Sequence, residues 1–159
     1  MNTKEIIKLI ASIFICQGAG IIGALFTMPS IRTWYETLNK PSFRPPNIIF
    51  GPVWTILFLL MGVSLYLIWH KGLASQDVRT ALLVFLAHLI LNIGWSVLFF
   101  GLRSPGFAFF EIVILWLAIL LTMYFFYRIS LISSLLLLPY ALWVSFAAVL
   151  NFTIWQLNR

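Results

Sequence analysis

Charge is what this sequence has least of. Of its 159 residues only 9% are Asp, Glu, Lys or Arg, against about 25% in an ordinary globular chain, and only four are acidic. So few acids form no paired-carboxylate site, and with two histidines and one cysteine no metal-ligand spacing arises. There is no Ser-His-acid set with a supporting motif and no phosphate-cradling loop. The lone Cys16 allows no intrachain disulfide, and a thiol in an apolar stretch reads as packing. The net charge of +6 comes from basic residues scattered singly, without patch or stripe. That excludes a nucleic-acid surface and fits contact with anionic lipid headgroups.

What fills the sequence instead is apolar, 62% of it. The stretches 9–31, 45–69, 80–102, 104–127 and 129–158 contain one formally charged residue between them, Glu111. Each exceeds the roughly 20 residues that cross a ~30 Å hydrocarbon core as a helix. Membrane strands would alternate in polarity, and these runs are apolar on both parities, so helices remain. The expectation is an all-α integral membrane protein, residues 1–159 forming a single bundle of five transmembrane helices over about 5–26, 47–69, 78–100, 105–127 and 131–155. Pro29 closes the first helix, Pro52 sits in the first turns of the second, and a long loop joins the two. The other connections are short, which predicts antiparallel neighbours. The first apolar run is too long for a signal peptide and lacks a small-x-small cleavage site, so it reads as a retained helix. Basic residues divide five against five between the two sides (Lys4, Lys8, Lys71, Arg79, Arg128; Arg32, Lys40, Arg44, Arg103, Arg159), which gives no orientation. No internal repeat supports a carrier of two equal halves.

Within the helices, polar and small residues fall on faces. Gly18 to Gly23 matches the spelling of a dinucleotide fingerprint, but a membrane helix offers no preceding strand. Cys16, Gly20, Gly23, Ala24 and Thr27 share a face that serves close packing, including a dimer contact, or forms a cavity wall. In the third helix His88, Asn92, Trp95, Ser96 and Phe99 make a polar and aromatic stripe that bonds a neighbouring helix or faces a cavity. With no second histidine at membrane depth, His88 reads as an interhelical hydrogen-bonding group or a headgroup contact rather than a haem ligand. Glu111 lies about two turns into the fourth helix, where a structural partner, His88 or a loop cation, is favoured over proton coupling. In the fifth helix Tyr140, Trp143, Ala147, Leu150 and Asn151 share a face. Trp54, Trp95 and Trp143 together suit an aromatic cavity for a planar hydrophobic ligand.

Two segments carry a resemblance. "WYETLNKPSFRPPNIIFGPVW", residues 34–54, and "LPYALWVSFAAVLNFTIWQLN", residues 138–158, resemble the two signature regions of the translocator protein (TspO/MBR, tryptophan-rich sensory protein, peripheral-type benzodiazepine receptor) family. The resemblance extends over the whole chain. It implies a membrane tetrapyrrole-binding sensor or regulator, usually a homodimer, with protoporphyrin IX or haem in a pocket inside the bundle lidded by the first loop. No obligatory cofactor is implied. By residue matching the wall comprises Tyr35 and Pro45 of the loop, Phe50, Trp54 and Phe58, then Asn92, Trp95, Ser96 and Phe99, and Trp143, Ala147 and Leu150. Lys40 and Arg44 are placed to meet ligand carboxylates. The resemblance also implies two alternatives: light-dependent protoporphyrin breakdown using Trp54 and Trp143, and porphyrin transport. The animal cholesterol consensus is missing, since Phe152 and Gln156 stand at its positions. This argues against cholesterol and for a bacterial cell membrane.

Overall fold

The computed structural model describes residues 2–159. The described residues form no strand; the helices are α1 (Thr3–Ile31), α2 (Trp34–Thr37), α3 (Asn47–Trp69), α4 (Gln76–Ser96), α5 (Pro105–Ile129), α6 (Leu131–Leu136) and α7 (Leu138–Leu157). A π-helical turn, Val97–Gly101, extends α4. Five spans are long and apolar enough to cross a membrane: α1, α3, α4 with its π turn, α5, and α6 together with α7. The protein is thus an integral, multi-pass membrane protein built as a five-span bundle.

Local chemistry sets the boundaries. Asn2 caps α1 through a reciprocal pair, the Glu5 amide donating to Asn2 Oδ1 and the Asn2 amide to Glu5 Oε2, each at 3.0 Å. Pro105 opens α5 where its missing N–H costs nothing. Contrary to expectation, Pro29 does not close α1, which continues to Ile31. Near a helix end the proline forfeits one backbone bond, and neighbouring side chains anchor the segment. Thr33 Oγ1 donates to the Pro29 carbonyl at 2.9 Å, and Ser30 Oγ donates to the Phe100 carbonyl at 2.9 Å.

The last span is not one continuous helix. It breaks at Leu137, because Pro139 has no N–H to continue the ladder.

α1 lies along α3 and also meets α4, while α5 packs between α4 and α7. A close backbone approach pairs Gly62 with Ile13: a Cβ on Gly62 would stand 2.7 Å from the Ile13 Cα. Buried aliphatic and aromatic side chains, among them Met61, Ile68, Phe85, Leu115, Ile119 and Phe126, fill the end away from the 1–2 loop. His88 is fully buried there, its Nδ1 3.1 Å from Thr122 Oγ1. The Thr122 hydroxyl already donates to the Ala118 carbonyl at 2.8 Å, so the imidazole Nδ1–H donates to Thr122. His88 is therefore an interhelical hydrogen-bonding group.

Candidate functional site

Nearer the 1–2 loop the bundle holds a cavity of about 580 Å³, within the 300–1,000 Å³ range typical of small-molecule sites. Three helices supply its aromatic walls. From α3 come Phe50, Trp54 and Phe58, with Trp54 stacked on Phe58 at 5.5 Å between centroids and meeting Tyr140 edge-on at 6.2 Å. From α4 come Asn92, Trp95 and Ser96; α7 adds Trp143, Ala147 and Leu150. Phe50 meets the Trp143 ring edge-on at 5.8 Å, which ties α3 to α7 across the site. Such aromatic pairs contribute about 0.5–1.5 kcal/mol each beyond their burial.

The π turn changes the end of the α4 stripe. By widening the helix it lets Phe99 and the consecutive Phe100 both be buried and both border the cavity. Trp95 stacks on Phe99 at 5.1 Å.

Polar groups fix the walls rather than float in them. Asn92 Nδ2 donates to Tyr140 Oη at 3.0 Å. Trp95 Nε1 donates to Asn151 Oδ1 at 2.9 Å, and Asn151 Nδ2 donates to the Pro105 carbonyl at 2.7 Å, so one asparagine joins three spans. Trp143 Nε1 is buried without a hydrogen-bond partner.

α1 forms the fourth wall through Ala19, Gly20, Gly23, Ala24 and Thr27. Its small residues pack closely and border the cavity at once: a Cβ on Gly20 would stand 2.6 Å from Phe58 Cε2, and one on Gly23 would stand 3.0 Å from Ser96 Oγ. This face points inward, toward α3 and α4. Cys16 is buried beneath it in the core, outside the cavity lining.

The loop covers one end. Tyr35 borders the cavity and packs on Phe99 and Phe100 at 6.2 and 5.7 Å. Burial pushes its phenol above the ordinary value, against the pull of the Arg44 guanidinium. The lining resumes at Asn47, and Pro45, just before the Pro46 cap of α3, does not border the cavity. Nor do Lys40 and Arg44. Lys40 Nζ donates to the Glu36 and Leu38 carbonyls at 3.1 Å each and lies 5.2 Å from the Tyr35 ring centroid. Arg44 donates to Asn47 Oδ1, and Asn47 Nδ2 donates to Glu36 Oε1 at 3.2 Å. Both cations thus hold the loop together around Tyr35.

Glu111 lacks the expected partner. Both of its carboxyl oxygens are buried without a hydrogen bond, facing the space left by Gly94, while His88 is engaged with Thr122.

Among the lining residues that sequence reasoning missed are Phe100, Asn151 and Ile154, together with the α1 and α3 residues Ile21, Met28, Ile48, Gly51 and Thr55. Asn151 already stood on the α7 face with Trp143, so its signal was present. Phe100 had none, because only the π turn brings it round.

The model of the TspO/MBR family matches residues 12–156. The tryptophan-rich protein TspO of Chlorobaculum tepidum is 46% identical over 155 residues, 98% of each chain. The translocator protein of Homo sapiens is 33% identical over 139 residues, covering 87% of this chain and 82% of its own. The tryptophan-rich sensory protein of Cereibacter sphaeroides is 32% identical over 143 residues, covering 90% and 86%.

Proposed function

The chain belongs to the TspO/MBR family, and on that footing we propose that it is a membrane sensor or regulator that binds a tetrapyrrole, protoporphyrin IX or haem, inside its bundle under the 1–2 loop. One observation carries this reading: Trp54, Trp95 and Trp143, from three different helices, border one largely apolar cavity. Flat indole and phenyl faces hold a planar macrocycle by stacking and dispersion. No histidine borders the cavity, so a bound haem would be held by its faces and not by an axial imidazole. The sensory role takes support from the name of the Cereibacter sphaeroides relative. The resemblance further supports a homodimer in a bacterial cell membrane.

Titrating protoporphyrin IX against tryptophan fluorescence tests the reading. The wild-type protein should quench saturably, and a Trp54→Ala, Trp143→Ala double variant should bind at least about tenfold more weakly, 1.4 kcal/mol being one decade. Equal affinity in the two would overturn the site.

A second reading takes support from the placement of Trp54 and Trp143 on the same cavity. Here the light-excited porphyrin is oxidised by dissolved dioxygen, which takes up the electrons, and an adjacent indole relays an electron from the porphyrin to it. Under illumination, bleaching no faster than with a Trp143→Phe variant or empty detergent micelles would exclude it.

A further inference from the structure

The walls of the cavity are not equally closed. Where α4 and α7 border it, Asn92, Leu150 and Asn151 are buried, and beneath the loop Tyr35 is buried as well. Between α1 and α3 the opposite holds. Ile21 and Met28 of α1 are 64% and 71% exposed and Ile48 of α3 is 82% exposed, yet all three border the cavity. Gly51 and Thr55, also bordering it, are exposed beside them. The cavity is open along this seam.

The seam is closed at one end. α1 and α3 meet closely at Ile13 and Gly62, where a Cβ on the glycine would stand 2.7 Å from the Ile13 Cα. One step nearer the loop, Gln17 Nε2 donates to the Thr55 carbonyl at 3.0 Å. Beyond that tie no further side-chain hydrogen bond joins the two helices among the described residues. The residues of the mouth lie within the two membrane spans, so what faces the mouth is hydrocarbon. On the loop side of the Gln17 tie α1 still meets α3 where Gly20 faces the Phe58 ring, and the exposed lining of α1 runs from Ile21 to Met28, about 10 Å at ~1.5 Å per residue.

The loop side is tied shut by comparison. The Asn39 amide donates to Asn158 Oδ1 and Asn158 Nδ2 donates back to the Asn39 carbonyl, both at 2.9 Å. Lys40 and Arg44 lie over Tyr35 within that closed segment, at 5.2 and 5.9 Å from its ring centroid.

We propose that the cavity exchanges its ligand with the lipid phase, through a lateral mouth between α1 and α3, rather than with water past the 1–2 loop. This deepens the tetrapyrrole reading and rests on it for the choice of probe. The ligand is a planar apolar molecule that first dissolves in the bilayer, and Gln17 marks how far the seam can open.

Gly51 offers the test, because a Cβ there meets nothing within 4 Å and a side chain can be added without displacing a neighbour. In lipid vesicles carrying protoporphyrin IX, Gly51→Phe should slow association and dissociation together, by about tenfold or more. Gly51→Leu, a smaller plug, should show the same trend, and Asn158→Ala, which unties the loop, should leave both rates as in wild type. Unchanged rates in both Gly51 variants, or faster exchange in Asn158→Ala alone, would overturn the lateral route. Absence of porphyrin binding by the wild-type protein would instead sink the tetrapyrrole reading. The mouth then remains testable with phosphatidylcholine brominated on its acyl chains, which should quench the cavity tryptophans less in Gly51→Phe than in wild type. Equal quenching in the two would overturn the mouth itself.

Discussion

Asn39 and Asn158 are 119 residues apart and hold each other through two hydrogen bonds of 2.9 Å, one from each residue's nitrogen to the other's oxygen. The pair fastens the 1–2 loop to the C-terminal end of α7, where unsatisfied helix carbonyls are waiting for donors. Asn158 Nδ2 also reaches the Ile154 carbonyl at 2.7 Å, and Asn39 Nδ2 reaches that of Leu157 at 3.4 Å.

Removing this fastening should loosen the loop without unfolding the bundle. For Asn158→Ala the expected loss is about 1 kcal/mol, since exposed hydrogen bonds contribute at the low end of the net range. Hydrogen exchange should rise at amides 38–46 and stay unchanged in α4 and α5. Uniform acceleration across all helices would show that the pair serves global stability instead.

Two glycines of similar sequence context should respond oppositely. Gly62→Leu forces side-chain atoms into the Ile13 backbone and should destabilise the bundle by about 1–3 kcal/mol or more, the range for overpacking. Gly18→Ala meets nothing within 4 Å and should stabilise α1 by up to about 1 kcal/mol through helix propensity. Denaturant unfolding in detergent micelles measures both. A tolerated Gly62→Leu would mean that α1 and α3 separate more easily than their contact implies.

Asn151 links Trp95 to the start of α5, so Asn151→Leu removes two bonds and strands two half-buried partners. The expected loss is about 1–3 kcal/mol, and it should be non-additive with Trp95→Phe, because the two residues share one network. Strict additivity in the double-mutant cycle would disprove the coupling.

Glu111 gives the reverse expectation. Its carboxyl oxygens have no partner to lose, and an uncompensated polar group in an apolar interior is itself unfavourable. Glu111→Leu, which removes the unsatisfied group, should therefore leave stability unchanged or raise it by about 1 kcal/mol, near the low end of the penalty for an unsatisfied buried group. A marked loss on unfolding in detergent would reveal a partner that only the bilayer supplies.

Much of the architecture was legible because hydrocarbon excludes charge so strongly. The gaps between charged residues marked the five spans, and helical periodicity put Asn92, Trp95 and Ser96 on one face of α4 and Trp143, Ala147 and Leu150 on one face of α7. Other features depend on geometry that no local signal encodes. The π turn at Val97–Gly101 carries no distinguishing residue, so Phe100 could not be assigned to the cavity. The small face of α1 was ambiguous because close packing and cavity lining call for the same residues. Lys40 and Arg44 bond to acceptors only two to four residues away, the Glu36 and Leu38 carbonyls and Asn47, and the loop's sequence does not show which of its polar groups will pair.

The sequence by itself therefore determined the solvent of this protein and the number of its spans, since each is a sum over residues of transfer free energy from water to hydrocarbon. It also carried the aromatic inventory of the site. Tertiary structure alone decided which of those aromatics meet, that Glu111 has no partner and that the α1–α3 seam opens toward lipid. Those outcomes depend on how far apart two helices stand, and that distance follows from pairs such as Gly62 with Ile13 and Gly20 with Phe58, whose members lie far apart along the chain.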